Sequence, residues 1–223
     1  DGLDFQSFTT ENGLPSNYVN AIFEDSERQI WVGTNAGVCF LKGKIFEKIP
    51  AGESRGLQVL AFCQTQEGQI WLGTDRGVFT CDPAAQTLKK LSLASLPENM
   101  TVWALLPSAQ GIWVATNSGA FRVGPKPISL SNKNGLNSNA VRAFAKTGEK
   151  HLWIATSGGG VVQFDESQDA IVARYPMPAW TTCLQPDAAG KIWIGTSDNG
   201  VAVLNPADST WTQITEKQGF PHQ

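Results

Sequence analysis

The amino-acid sequence predicts an all-β fold of the β-propeller class, and three observations support this prediction. A short motif built around a tryptophan occurs five times, with successive spacings of 40, 42, 40 and 40 residues. Each copy lies in a unit that reads as four short strands separated by polar turns. No segment shows the 3.6-residue period of an amphipathic helix over a helical length. Tandem units of this length indicate a repeat architecture.

The repeated motif is Trp, an aliphatic residue, Gly or Ala, and then Thr, as in residues 31–34. Four antiparallel strands in about forty residues are typical of a propeller blade rather than of a solenoid coil. One blade cannot cover both of its apolar faces, so we expect blades to stack with the indoles between them. These tryptophans are assigned to the scaffold: Trp31, Trp71, Trp113, Trp153 and Trp193. The residue two positions later stays small so that backbones can approach: Gly33, Gly73, Ala115, Ala155 and Gly195.

We interpret residues 1–223 as one propeller domain with five blades and an extra outer strand near residues 5–9. The blades are placed at about 17–50, 57–92, 100–131, 139–176 and 179–215. The hairpins between second and third strands contain Asn, Asp and Gly, which tolerate positive φ angles. Those hairpins are residues 35–37, 75–77, 117–119 and 197–200.

The two ends of the chain leave two interpretations open. Residues 5–9 and 211–215 both read as outermost strands, although a ring closed by sharing a blade between its termini needs only one of them. Residues 218–222 also echo the segment 12–16. We favour a segment of a propeller of seven or more blades over a five-bladed ring with a surplus strand. An open segment would expose apolar blade faces and should self-associate.

The composition excludes several classes of protein. The chain has 41% hydrophobic and 17% charged residues and a net charge of -3, with no basic face for nucleic acid. No apolar run approaches the ~20 residues that cross a bilayer, so direct membrane insertion of this segment is not expected. The start at Asp1 suggests a mature or excised domain.

The sequence also lacks the usual signatures of catalysis. The four cysteines form no CxxC pair, and each lies in an apolar strand, where it should behave as a small hydrophobe: Cys39, Cys63, Cys81 and Cys183. The two histidines, His151 and His222, do not cluster as a zinc site would require. No hydrolase or nucleotide-binding motif appears. We therefore expect no cofactor, no metal and no enzymatic activity.

Comparison of the five repeats with one another suggests where a ligand could bind. Constant positions serve the scaffold, whereas varied positions at the start of each first strand are free to carry specificity. One varied register contains Tyr18, Gln58, Thr101, Ala140 and Trp180, and the register two residues later contains Asn20, Leu60, Trp103, Arg142 and Thr182. From these registers and the hairpins we select the candidate ligand-binding residues Tyr18, Asn20, Trp103, Arg142, Trp180, Arg76, Asp198 and Asn199.

Aromatic faces beside amide and guanidinium donors suit a small polar ligand such as a sugar or oligosaccharide, a metabolite or a peptide. Alternatively, Trp103 and Trp180 plug the channel, and each hairpin residue serves turn chemistry alone.

Residues 13–38 read GLPSNYV followed by IWVGT and GV, and residues 135–141 repeat the entry motif as GLNSNAV. These units resemble the two-component regulator propeller repeat. The resemblance implies the extracytoplasmic, periplasmic sensor part of a membrane-anchored bacterial receptor, such as a hybrid histidine kinase or a diguanylate cyclase. Sensor propellers of this family usually have seven blades, whereas five are counted here.

Three functions follow from this resemblance and from the residues. The first is a non-catalytic module that senses a ligand and relays its state to a signalling domain outside this chain. The second is a scaffold whose propeller face binds a protein partner. The third, less favoured, is an enzyme, because the repeats distantly resemble streptogramin lyases. That activity requires a metal-associated catalytic histidine on a blade loop, and His151 and His222 are poorly placed for it.

Overall fold

The computed structural model describes residues 5–50, 56–82, 85–93, 95–177, 179–197, 199–216 and 219. These ranges hold twenty β-strands and one 3-10 helix, and the strands form five four-stranded antiparallel sheets. Within every sheet the strands are neighbours in chain order, as a blade requires. The predicted class, a β-propeller of four-stranded antiparallel blades with five blades in this chain, is confirmed.

The blades have the following strands. The first contains β1 (Val19–Glu24), β2 (Ile30–Thr34), β3 (Gly37–Lys42) and β4 (Ile45–Lys48). The second contains β5 (Val59–Gln64), β6 (Ile70–Thr74), β7 (Gly77–Asp82) and β8 (Thr87–Lys90). The third contains β9 (Val102–Ser108), β10 (Gly111–Thr116), β11 (Gly119–Val123) and β12 (Ile128–Leu130). The fourth contains β13 (Val141–Thr147), β14 (His151–Thr156), β15 (Gly160–Asp165) and β16 (Ala170–Tyr175). The fifth contains β17 (Thr181–Pro186), β18 (Ile192–Thr196), β19 (Val201–Asn205) and β20 (Thr210–Ile214).

The chain divides into two compact units, Asp1–Ile112 and Trp113–Gln223. In the first unit the core lies between blades, where the tryptophan-bearing face of the first blade packs on the second blade. One apolar cluster spans this contact, with Trp31 and Phe40 on one side and Leu72 and Phe79 on the other. Close approach depends on Gly33, because a Cβ there would lie 2.7 Å from Cγ1 of Val59. The predicted reason for small residues after the tryptophan is therefore confirmed at this position.

The second unit repeats this packing between the fourth and fifth blades. One apolar cluster joins Trp153 and Tyr175 of the fourth blade to Ile192, Ile194 and other residues of the fifth. The rings of Trp153 and Tyr175 lie 5.8 Å apart within this cluster. Burial of these aromatic and aliphatic side chains between the two blades favours stacking.

The five scaffold tryptophans are not equivalent, contrary to the sequence prediction. Trp31, Trp113 and Trp153 are buried and Trp71 is half-buried, but Trp193 is 40% exposed. Each indole N–H nevertheless donates a hydrogen bond to a polar side chain. The acceptors are Asp25, Gln69, Glu166, Thr147 and Asp187, in blade order.

Trp113, the third of these tryptophans, has its acceptor in another blade, because the turn before β10 is short. Its Nε1 lies 2.8 Å from a carboxylate oxygen of Glu166, which belongs to the fourth blade. Glu166 is buried and also forms an ion pair of 2.7 Å with Lys146. The buried guanidinium of Arg122 lies 5.6 Å from the centre of the Trp113 ring and forms an ion pair with Asp169. These contacts join the third and fourth blades within the second unit.

The prediction of an outer strand near residues 5–9 is wrong, because the structure assigns no strand there. The side chain of Thr9 caps a 3-10 helix, Thr10–Asn12, and Asn12 bonds back to the Thr9 amide. This capping box begins a turn at Thr9, the last residue of the predicted strand. Phe8 instead packs edge-on against Phe46, with ring centres 5.3 Å apart.

The entry motif has the same local structure at both of its occurrences. Amides of residues 9 and 10 donate to the side chains of Asn12 and Asn17, and amides of residues 131 and 132 donate to those of Asn134 and Asn139. The following leucines, Leu14 and Leu136, are buried. The repeated sequence therefore encodes a polar turn that seats one leucine at the entrance to a blade.

Candidate functional site

The start of the first strand and the hairpin between the second and third strands meet at one edge of the blade. The amide of Asn35 donates to the carbonyl of Tyr18 at 3.1 Å. Equivalent bonds run from Asp75 to Gln58, from Ser157 to Ala140 and from Ser197 to Trp180. The comparison of the repeats placed Tyr18, Gln58, Ala140 and Trp180 at equivalent positions. The four equivalent hydrogen bonds confirm this placement.

A β-bulge occupies the varied register in the same four blades. The pairing of β1 with β2 advances by two residues on β1, from Val19 to Ala21, while β2 advances by one, from Thr34 to Gly33. The same shift occurs in β5, β13 and β17. A bulge leaves one residue out of the ladder and re-aims its side chain. The residues left out are Asn20, Leu60, Arg142 and Thr182. We call these four the bulge residues.

In the first blade the predicted residues Tyr18 and Asn20 lie beside the hairpin. The Tyr18 side chain is 74% exposed. The Asn20 amide group donates to Oδ1 of Asn35 at 2.8 Å and to the carbonyl of Val59 at 3.2 Å. Asn20 thus links its own hairpin to the second blade while remaining exposed.

Arg76 lies in the hairpin of the second blade. Its Nε is 3.8 Å from Asp75, and Nη2 donates to the carbonyl of Gly56 at 3.4 Å. The Asp75 carboxylate also accepts the amide of Gln58 at 3.0 Å. Arg76 is exposed, and the arrangement places its cation at the entrance to the blade.

Trp103, on β9, is half-buried rather than open to solvent. In the second unit Arg142 is also half-buried, and desolvation lowers the pKa of its guanidinium below the usual value. Trp180 is 61% exposed immediately before β17. Asn199 is exposed in the last hairpin, where its amide donates to Oγ1 of Thr196 at 3.0 Å. Asp198 lies outside the described residues.

The structure adds exposed polar residues at the equivalent edges of two other blades that the sequence analysis did not select. Thr182 is an exposed bulge residue, and Gln58 is exposed at the start of β5. The varied registers contained both residues, but only the bulge shows that the Thr182 side chain is re-aimed. Asn199 also lines a cavity of about 370 Å³ together with Met177 and Trp211.

Hydrogen bonding and ring stacking are the chemistry that this edge offers. Amides, hydroxyls and guanidinium groups supply donors and acceptors, and an open aromatic face is supplied by Tyr18 in the first unit and by Trp180 in the second. No group of three or more His, Cys, Asp or Glu side chains is placed to hold a metal ion within the described residues. His151, the one histidine that the structure describes, pairs with Thr147 at the far end of β14 from the bulge.

Two segments of the sequence match the family model of the two component regulator propeller, residues 13–36 and 54–76. They cover the entry, first strand and tryptophan strand of the first two blades. These two segments are similar to the two component regulator propeller repeat. The resemblance drawn from the GLPSN and IWVGT motifs is thereby confirmed.

Solved propellers share the fold. The extracellular domain of BT3049 from B. thetaiotaomicron, assigned to a hybrid two component system, matches with a TM-score of 0.77 and 20% identity over 95% of this chain and 30% of that one. PorZ, a surface component of the type-IX secretion system of Porphyromonas gingivalis, has a TM-score of 0.66 and 15% identity over 90% of this chain and 34% of its own. A catalytically inactive virginiamycin B lyase from Staphylococcus aureus with quinupristin has a TM-score of 0.70 and 14% identity. The match covers 93% of this chain and 74% of the lyase chain.

At these identities the likeness establishes the fold alone. The chain spans 30% of the BT3049 domain and 34% of PorZ. No curated protein matches its sequence. Among the described residues, no helix combines the length and the apolar character needed to span a membrane.

Proposed function

We propose that this chain is the ligand-binding part of an extracytoplasmic sensor, and that it is not itself an enzyme. The observation that carries the proposal is the set of bulge residues. In four blades the first strand has a bulge residue at the same position of the repeat. The side chain at that position differs in chemistry from blade to blade. A scaffold that is constant elsewhere and varied at one edge is suited to recognition.

The context of the repeat supports an extracytoplasmic role. The family model describes a two component regulator propeller. The extracellular domain of BT3049 has the same fold. We propose that this chain occupies the corresponding part of a membrane-anchored bacterial receptor and that its signalling domain lies elsewhere in the protein.

The ligand that fits the edge is small and polar, such as a sugar or an oligosaccharide. In the second unit Trp180 presents a flat ring to solvent, and such a ring stacks on apolar faces of polar molecules. Thr182 and Asn199 of the same unit offer hydrogen-bond donors and acceptors. Tyr18 and Asn20 offer the same chemistry in the first unit. The alternative is a protein partner that binds the same surface, and binding experiments separate a small ligand from a protein partner.

An enzymatic role of the lyase type has less support than a sensing role. The virginiamycin B lyase shares the fold, but His151 lies at the end of β14 remote from the hairpin edge. No described carboxylate or histidine cluster accompanies the bulge residues.

The test is a thermal-shift screen against sugars, oligosaccharides and small metabolites, followed by titration calorimetry of the strongest binder. Trp180→Ala should weaken binding at least about tenfold, as expected for an exposed aromatic anchor. Its melting temperature should change little, because the ring is largely exposed. Phe5→Ala, which truncates an exposed aromatic outside the blades, is the matched control and should bind like the wild type.

Two results would contradict the proposal. One is an absence of any ligand that stabilises the protein in a broad screen. The other is equal affinity in the wild type and in the Trp180→Ala variant. Turnover of a streptogramin that disappears in His151→Ala would instead favour the lyase function.

A further inference from the structure

The connection into the fifth blade is shorter than the other connections between blades. Between an outer strand and the next first strand, the chain elsewhere uses residues 49–58, 91–101 and 131–140, which are ten, eleven and ten residues. Residues 176–180 make the connection into the fifth blade with only five. Fewer side chains are therefore available to cover the outer strand of that blade.

In the first blade a leucine of the preceding segment covers the equivalent place. Leu14 lies in one buried apolar cluster with Cys39 of β3 and Phe46 of β4. The strand pairings put Ala202 and Trp211 of the fifth blade at the positions of Cys39 and Phe46. The fifth blade thus has the smaller side chain on its third strand and no leucine above it.

A cavity of about 370 Å³ lies at this place, beside the apolar cluster that joins the fourth and fifth blades. Met177, Ala202 and Trp211 give it apolar walls, while Asn199 and Gln213 add polar groups. The Gln213 side-chain amide donates to the carbonyl of Asn199 at 2.9 Å. No charged side chain is found among the described residues that line the cavity. An apolar cavity of about 150 Å³ already holds benzene, so this one has room for a ring with a polar substituent.

The cavity is continuous with the hairpin edge of the fifth blade. Asn199 lies in the hairpin and lines the cavity. Ala179 also lines it and directly precedes Trp180, whose carbonyl accepts the amide of Ser197 at 3.0 Å. A ligand held at this edge can therefore place one part of its structure inside the cavity.

We propose that the cavity binds the apolar ring of a small neutral molecule whose hydroxyl-bearing part lies at the hairpin edge. This inference rests on the proposed sensing function and names the kind of ligand that is sensed. An indole face and a thioether both make favourable contacts with a flat ring, and Trp211 and Met177 supply them. A charged group is disfavoured, because an ion removed from water needs a partner of opposite charge.

A chemical-shift titration of the 223-residue chain with labelled methionine methyl groups tests the proposal. The chain has two methionines, so loss of one resonance in Met177→Leu assigns the Met177 methyl group. Phenol and phenyl β-glucoside should shift this resonance in a saturable manner. Benzoate, which carries a charge, and methyl β-glucoside, which lacks the ring, should bind at least about tenfold more weakly.

The variant Ala202→Val fills the cavity from within. Val162 is fully buried at the equivalent position of the fourth blade, so the blade accepts a valine there. The affinity for phenol should fall at least about tenfold, with a circular dichroism spectrum like that of the wild type. If Ala202→Val does not fold, Ala202→Cys, which matches Cys39, replaces it.

Trp180→Ala is the matched control, because Trp180 does not line the cavity. Its affinity for phenol should equal that of the wild type. This variant truncates a side chain of the hairpin edge and leaves the cavity walls in place.

Three results would overturn the proposal: no shift of the Met177 resonance with either ring compound, equal phenol affinity in the wild type and the filled variant, or benzoate binding as tightly as phenol. Failure of the sensing function is a different result, in which no ligand of the broad screen stabilises the protein. A screened ligand that binds the filled variant as tightly as the wild type would leave the sensing function standing and overturn this inference alone.

Discussion

At the scale of single residues, the threonine that ends each tryptophan strand stabilises the hairpin that follows that strand. The Thr74 hydroxyl donates to the carbonyl of Gly77 at 2.7 Å and accepts the amide of Arg76 at 3.0 Å. The same donor bond recurs at Thr34, Thr116, Thr156 and Thr196. The hydroxyl therefore fixes the hairpin that carries candidate ligand-binding residues, and the positive φ angle falls on the glycine that follows, as at Gly77.

Replacement of Thr74 by Val should destabilise the protein by about 1–3 kcal/mol, because buried polar groups of the hairpin lose their partner. Urea unfolding measures the change in the free energy of unfolding. Thr74→Ser keeps the hydroxyl and should lose clearly less. A larger loss in Thr74→Ser than in Thr74→Val would show that the methyl group, and not the hydrogen bonds, matters.

The cysteines also differ from one another, which corrects the view that each is a buried small hydrophobe. Cys39, Cys63 and Cys81 are buried, and desolvation raises the pKa of each thiol to about 12. Cys183 is exposed. Since the thiolate is the reactive form, a raised pKa and burial both protect the first three.

Iodoacetamide at neutral pH should therefore modify only Cys183 in the native protein. All four cysteines should react after denaturation, and mass spectrometry counts the adducts. Native labelling of Cys39, Cys63 or Cys81 at the rate of Cys183 would contradict the burial of the strands that carry them.

At the scale of elements, the stacking of blades decides how much each tryptophan contributes. Trp153 is buried between the fourth and fifth blades, whereas Trp193, in the same unit, is 40% exposed. Truncation of a buried indole leaves a cavity inside the protein. Truncation of a partly exposed indole leaves a space at the surface that water can fill.

Trp153→Ala should cost about 3–5 kcal/mol of unfolding free energy, and Trp193→Ala should cost clearly less. Chemical denaturation of both variants measures the difference. The comparison uses equivalent positions of two adjacent blades, so each serves as the control of the other. Equal costs would mean that Trp193 is covered in solution, which self-association at high protein concentration can produce; the measurement is therefore made on dilute samples.

At the scale of the whole molecule, the sequence was sufficient for the fold class because repetition multiplies a weak local signal. Five tryptophan strands predicted five sheets, and the small residues at Gly33 and Gly73 predicted close contact between blades. The alignment of repeats also predicted that Tyr18 and Trp180 start equivalent strands beside their hairpins.

The β-bulges could not be predicted from the sequence, because a shift in the pairing register depends on both strands of the pair. The run from Val19 to Phe23 alternates in the manner of a regular strand, and nothing in it marks Asn20 as the residue left out. The path of residues 5–9 was missed for a similar reason. A pattern of apolar residues suggested a strand, but these residues pair with no strand, and Phe8 packs on Phe46 instead.

The central claim is that the constant positions form the scaffold and that the first-strand entries and bulge residues perform recognition. Backbone amide chemical shifts of isotope-labelled protein, followed during titration with the strongest ligand from the screen, test this claim most directly. We predict that the largest shift changes fall at residues 18–20, 58–60, 140–142 and 180–182 and in the adjoining hairpins. Changes confined to the outer strands β4, β8, β16 and β20, with none at these positions, would contradict it.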